Sequence, residues 1–150
     1  MHFITIHMCT FCKILNRQLD GYFVYEDDHF AAFLDKYPVA PGHTLVVPKE
    51  HFENYLETPE EVLSGLAKVV KLVSIAVKDA VKADGVRILT NVGESAGQVI
   101  FHLHVHIIPT WTNDYPEIFK YFTPRREMSS QYYELLQKVI NESVNRIKEK

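Results

Sequence analysis

The chain has 150 residues, 47% of them apolar and 23% charged, the make-up of one globular domain over residues 1–150 rather than a disordered tail, a collagenous repeat or a coiled coil. Its 16 basic and 19 acidic side chains give a formal charge of -3, and no basic run is long enough to track a phosphate backbone, so duplex DNA is not an expected partner. No apolar stretch approaches the roughly 20 residues that cross a bilayer, and no basic segment followed by an apolar one opens the chain, so no membrane association and a cytoplasmic location are expected.

In chain order, the first punctuation is Cys9-Thr10-Phe11-Cys12. These are the only two cysteines, and a C-x-x-C pair closes too small a loop to staple a fold. Metal or redox chemistry is the better reading, and a thioredoxin-type site would need β-α-β surroundings that the sequence does not offer. Tyr22 to Tyr25, the polar break Glu26-Asp27-Asp28 and Phe30 to Leu34 predict two antiparallel strands. Thr44 to Val47, closed by Pro48, predicts a third.

Thr58-Pro59-Glu60-Glu61 predicts a helix start with Thr58 as the cap and Pro59 at the first helical position. Val62, Leu66, Val69, Val70, Val73, Val77 and Val81 form its core-facing stripe, and Gly85 is expected to end it. Val86 to Val92 and Val99 to Ile108 predict two further strands around a glycine-rich loop at 93–97. A second amphipathic helix is expected over about 130–148, carrying Tyr132, Leu136, Val139, Ile140, Val144 and Ile147. Strands grouped with two main helices predict an α+β fold with a mostly antiparallel, five-stranded sheet.

His102-Leu103-His104-Val105-His106 has period two, so on a strand the three imidazoles share one face while Leu103 and Val105 enter the core. At about 3.3 Å per residue the outer two lie about 13 Å apart, whereas zinc holds ligand nitrogens at about 2.0–2.1 Å. No single metal takes all three, and at least one is left as base, acid or nucleophile. For a tetrahedral site built on Cys9 and Cys12, His51 and His102 are the candidate remaining ligands.

Gly97-Gln98-Val99-Ile100-Phe101-His102-Leu103-His104-Val105-His106-Ile107-Ile108-Pro109 resembles the signature of the histidine triad family of nucleotide hydrolases and transferases. Pro41-Gly42-His43-Thr44-Leu45-Val46-Val47-Pro48-Lys49-Glu50-His51 resembles that family's second block, and the segments Cys9 to Cys12 and Phe33 to Asp35 its first. The resemblance implies an HIT-like fold pairing as a homodimer. It also implies that His104 attacks an α-phosphate to give a covalent nucleotidyl-histidine, with His106, His43 and Gln98 assisting.

By the same resemblance Asp35 accepts the ribose hydroxyls of a purine nucleotide and Asn91 positions the phosphate or a histidine; the loop of Gly93 and Gly97 also offers backbone N–H groups to phosphate. Phe11, Phe33 and Leu34 are expected near the base. In the zinc-binding branch Cys9, Cys12, His51 and His102 hold a structural zinc. Two positions depart from the family pattern: Val99 stands where many members carry Ser or Thr, and Thr110 where many carry Arg. The expected substrates are purine dinucleoside polyphosphates or nucleoside phosphoramidates. Two other readings stay open: a zinc-dependent hydrolase with metal on His102 and His104, and a nucleotide-binding sensor or scaffold with little turnover. Lys49, Glu50, Arg125 and Arg126 read as solvated, although the arginine pair could meet an anionic tail.

Overall fold

A computed structural model describes residues 9–149; His2 and His7, to which the sequence gives no role, lie outside the described residues. The elements are helix α1 (Thr10–Leu15), strands β1 (Phe23–Glu26), β2 (Phe30–Leu34) and β3 (Thr44–Pro48), helix α2 (Glu60–Ala80), strands β4 (Gly85–Leu89) and β5 (Val105–Thr110), and helix α3 (Ser130–Lys148). The strands form one five-stranded sheet in the order β1-β2-β3-β5-β4, antiparallel throughout. This is the α+β architecture the sequence predicts.

Alternation along the strands divides the interior in two. Phe30, Ala32, Leu34, Val46, Val105 and Ile107 meet Leu66, Val73, Val77, Leu136 and Ile140 of α2 and α3 on one face. Ala31, Phe33, Leu45 and Val47 point to the other face, where Cys9, Phe11 and Cys12 cover them. Both faces of β2 and β3 are therefore buried, which explains their continuous apolar text. The β1–β2 turn is closed by Asp27, whose Oδ1 accepts from the backbone N–H of His29 and Phe30 at 2.8 and 2.7 Å.

The boundaries differ from the predicted ones for local reasons. Helix α2 starts at Glu60 with Pro59 as its cap, because the Thr58 hydroxyl donates instead to the Asn54 carbonyl at 2.7 Å. Its end comes at Ala80, not Gly85: Lys82 takes the left-handed turn at φ 56°. Gly85 instead opens β4, where a Cβ would lie 2.6 Å from the Thr110 hydroxyl on β5. Strand β4 stops at Leu89 rather than Val92.

The histidine segment is the most informative departure, since β5 begins at Val105 rather than Val99. The β3–β5 register ends at Val46 opposite Val105, which would bring Leu103 opposite Pro48. Proline has no N–H to give, and the Pro48 carbonyl is taken by the His102 ring at 2.8 Å. Leu103 N–H turns instead to the Phe52 carbonyl at 2.7 Å. The alternation survives the break, for Leu103 and Val105 still enter the helix-side core.

Candidate functional site

The first cluster forms where α1 crosses the histidine segment. Cys9 caps α1, its Sγ accepting the Cys12 N–H, and the short helix brings both thiols to the sheet. Cys9 Sγ lies 3.4 Å from His102 Nδ1, and Cys12 Sγ lies 3.4 Å from His51 Nδ1 and 3.5 Å from His102 Nδ1. The four ligand atoms all fall within 4.8 Å of one another. A tetrahedral zinc with Zn–S of about 2.3 Å and Zn–N of about 2.0 Å requires sulfur–nitrogen separations of about 3.5 Å, so the donor set and its spacing fit that ion. Without a cation, burial, with Cys9 beside it, pushes the Cys12 thiol up to about 12. Protonated thiols are poor ligands, so metal uptake there would release protons.

Backbone groups fix which ring nitrogen of each histidine is available. A carbonyl only accepts, so His102 donates from Nε2 to Pro48 O at 2.8 Å and presents the Nδ1 lone pair to the thiols. His104 donates from Nδ1 to the His102 carbonyl at 2.7 Å and keeps its lone pair on Nε2. His43 Nδ1 accepts the Val39 N–H at 3.0 Å, which puts its proton on Nε2, facing His106 Nδ1 at 2.9 Å. His106 therefore carries its own proton on Nε2. The rings of His104 and His106 stand 4.9 Å apart, and Phe11 sets an edge against His104 at 5.0 Å.

Every imidazole of this group is held neutral. Burial is the largest cause, bringing His43, His102 and His106 down to about 4 and His104 below its ordinary 6.5. The Asp35 carboxyl is raised by burial, against the Tyr37 N–H and the nearby His106 and His104, which favour its charged form. Its Oδ1 accepts from Tyr37 N at 2.7 Å, and Oδ2 lies 3.5 Å from His43 Nε2. Asp35, His43 and His106 also lie close enough to surround an ion, but the 2.9 Å bond between the two rings already spends the facing nitrogens.

The remaining predicted residues are placed as follows. Gln98 is buried, its Oε1 accepting from Gly93 N at 2.9 Å and its Nε2 donating to Glu53 O and Ile100 O at 2.6 and 3.2 Å; its amide holds the loop together. Gly97 sits at φ 97°, where a side chain would be strained, and a Cβ there would lie 3.5 Å from Asn91 Nδ2. Phe33 packs edge-on against Phe11 at 5.3 Å. Leu34, the neighbour of Phe33 on the strand, points to the helix-side core, on the sheet face opposite Phe33.

Residues that the sequence reading did not single out complete the arrangement. Thr90 donates from its hydroxyl to the His104 carbonyl at 2.7 Å, pinning the segment just before β5 begins. The Val39 amide and the Pro48 carbonyl select ring tautomers, and a backbone group leaves no mark in the residue string. For the zinc-hydrolase arrangement the rings are turned apart: His102 faces its free nitrogen to the cysteines while His104 spends Nδ1 on a carbonyl.

A five-stranded antiparallel sheet carrying this run of imidazoles on the face away from its helices defines a histidine-triad fold. Residues 16–113 match the HIT domain, and the chain belongs to that family. A histidine triad nucleotide-binding protein of Sulfolobus tokodaii, described as hypothetical, is 71% identical in a crystal structure, with a TM-score of 0.92 over 93% of this chain and 94% of that one. An uncharacterized HIT-like protein of Saccharolobus solfataricus is 56% identical over 93% of this chain and 100% of its own. A Zn-bound histidine triad family protein of Mycobacterium smegmatis is 30% identical, with a TM-score of 0.82 over 96% and 98% of the two chains. The family includes an adenylylsulfatase of Arabidopsis thaliana, 42% identical over 71% of this chain and 54% of that protein.

Proposed function

We propose that the protein transfers a nucleoside monophosphoryl group to water or another acceptor through a covalent intermediate on His104. The observation that carries the reading is the 2.7 Å bond from His104 Nδ1 to the His102 carbonyl, which leaves Nε2 as a fixed, neutral nucleophile. Its lone pair forms an N–P bond to the α-phosphorus while the bond to the leaving oxygen or nitrogen breaks, the electron pair departing with the leaving group. Water then attacks phosphorus, losing a proton, and the N–P electrons return to the ring.

The positive imidazole of the intermediate would sit beside negative phosphate oxygens. The His43–His106 chain ends in the His106 Nε2 proton, a donor suited to those oxygens or to the leaving group. Asp35 would accept the ribose hydroxyls, Asn91 and the Gly97 loop would face the phosphate, and Phe11 and Phe33 would form the apolar wall beneath. Gln98 would shape that loop through its amide. Purine dinucleoside polyphosphates and nucleoside phosphoramidates are the proposed substrates. Cys9, Cys12, His51 and His102 would hold a structural zinc that ties α1 to the histidine segment, a reading supported by the donor spacing.

Homodimer pairing is part of the same reading. Strand β4 lies at the sheet edge beside an apolar groove lined by Ala67, Val70, Ile75, Val86 and Ile88, with Ile75 and Ile88 45% and 51% exposed. An edge unpaired among the described residues, next to exposed isoleucines, suits a second copy of the chain.

The test is acid- or denaturant-quenched trapping of nucleotide labelled on its α-phosphate, in wild type and His104→Ala. Label bound to wild type and lost with turnover in the variant supports the reading. Equal trapping and equal turnover in the two proteins would overturn it, and tight purine nucleotide binding without turnover would favour a sensor.

A further inference from the structure

We infer that Tyr132 and Tyr133, at the start of α3 and beyond the HIT match, are positioning residues that set His43 and Asp35 through the loop of residues 36–43. The inference rests on the catalytic reading above and assigns it two further residues.

That loop joins β2 to β3, with Asp35 at its entry and His43 at its exit. Its backbone is gripped from the C-terminal segment at three points. The Tyr133 hydroxyl donates to Lys36 O at 2.7 Å, next to Asp35. The Gly42 N–H donates to the Tyr132 hydroxyl oxygen at 3.0 Å, next to His43. The Arg125 N–H donates to Pro38 O at 2.7 Å, and Arg125 holds a left-handed φ of 63° to do so.

The third grip has a direct line to the site. Pro38 C=O and Val39 N–H belong to one peptide group, and that N–H is the donor to His43 Nδ1 at 3.0 Å. The chain runs from Arg125 N–H through this peptide to His43 and on to His106 Nδ1 at 2.9 Å. Each bond polarises the next, so the far end influences the near one. Gly42 sits at φ 89°, where a Cβ would come within 3.0 Å of Val81 on the end of α2, so the loop is already pressed between two elements.

The two phenols are themselves held by contacts of their own helix start. Ser129 caps α3 by accepting the Tyr132 N–H, Tyr133 stacks on Tyr22 with ring centroids 4.9 Å apart, and the Tyr133 oxygen also accepts the Met128 N–H at 3.0 Å. A rigid helix start thus projects two hydroxyls at the two ends of the ligand-bearing loop. Neither hydroxyl touches an imidazole or the Asp35 carboxylate, so each acts through the backbone it holds.

The placement predicts a split between kinetic constants. Tyr133→Phe releases Lys36 beside the ribose carboxylate and raises KM about fivefold with kcat little changed. Tyr132→Phe releases Gly42 beside His43, lowers kcat about fivefold with KM little changed, and shifts the ring nitrogen signals of His43 and His106 in 15N-detected NMR. Tyr115→Phe, whose ring meets Tyr132 through Phe122 but which makes no bond to the loop, leaves all of these at wild-type values. Loss of thermal stability in Tyr132→Phe with unchanged ring signals and unchanged kinetic constants would overturn the inference.

Two readouts need no turnover, so they decide the question even if the protein proves not to cleave nucleotides. One is the set of histidine ring signals. The other is amide exchange at Gly42 in the wild-type chain, which also serves if the variant does not fold: strong protection is expected, and exchange at the rate of an open loop would overturn the inference.

Discussion

His102 and His104 are two residues apart, both buried and both neutral by burial, yet they offer opposite ring nitrogens to different chemistry. His102 gives Nε2–H to Pro48 and turns Nδ1 to two thiols. His104 gives Nδ1–H to His102 O and keeps Nε2 free. The side chain is the same in both places; the carbonyl within reach decides its role. On the proposed reading one end of the segment would be a metal corner and the other a nucleophile, joined by a single carbonyl. Each can be damaged separately, and the separation is measurable.

The largest expected effect is at the nucleophile. His104→Ala should lower kcat/KM by about a thousandfold or more, because no other group replaces the covalent step. Its thermal midpoint should fall less than on loss of the metal corner, since the ring's one hydrogen bond is to a neighbouring carbonyl and the cost is the packing it loses against Phe11 and His106. The metal corner should show the reverse pattern. Chelation, or Cys12→Ser, should cost stability first, with a fall in Tm on the order of 10 °C, equivalent to about 3 kcal/mol in a chain of this length. Turnover of the protein that remains folded should fall far less than in His104→Ala. Chelation that abolishes turnover while Tm is unmoved would erase the distinction between the two ends.

Much of this division was legible in the residues. Period two in the histidine segment put Leu103 and Val105 in the core, and the C-x-x-C with spare histidines marked the corner that the fold assembles. The hairpin and α3 were equally plain, because their patterns repeat over several residues. The start of β5 was not, since it depends on what Pro48 across the sheet cannot donate. Tautomers were illegible for a related reason: they are chosen by main-chain groups of Pro48, Val39 and His102. That Leu34 and Phe33 lie on opposite faces was legible, for adjacent strand residues cannot share one.

An intermediate effect follows from the neutral pair His43 and His106. In the unfolded chain these titrate near 6.5, while in the fold both stay neutral down to about 4. Between those values the unfolded state binds more protons, so stability rises with pH across that window and is lost as pH falls through it. By pH 4 the loss should be about 3 kcal/mol from His43, with a smaller share from the more exposed His106. Denaturant titrations from pH 7 to 4 would measure it, and His43→Gln should flatten the slope. A slope equally steep in that variant would place the acid sensitivity at the metal corner instead.

The smallest effect is expected at Val99, which sits on the loop leading into the histidine segment and is 84% exposed. A side chain so open packs against almost nothing, so Val99→Ser should change stability by less than about 0.5 kcal/mol. The family resemblance implies that a hydroxyl at this position would bond the phosphate or the leaving group, and valine lacks that donor. Restoring it should therefore raise cleavage of a nucleoside phosphoramidate by about tenfold or less, the worth of one hydrogen bond in water-accessible surroundings. Cleavage of a dinucleoside polyphosphate should rise less, since a phosphate leaving group departs without needing a proton. Parallel rates on the two substrate types would test this directly, and an equal gain on both would mean that the hydroxyl serves the α-phosphate rather than the leaving nitrogen.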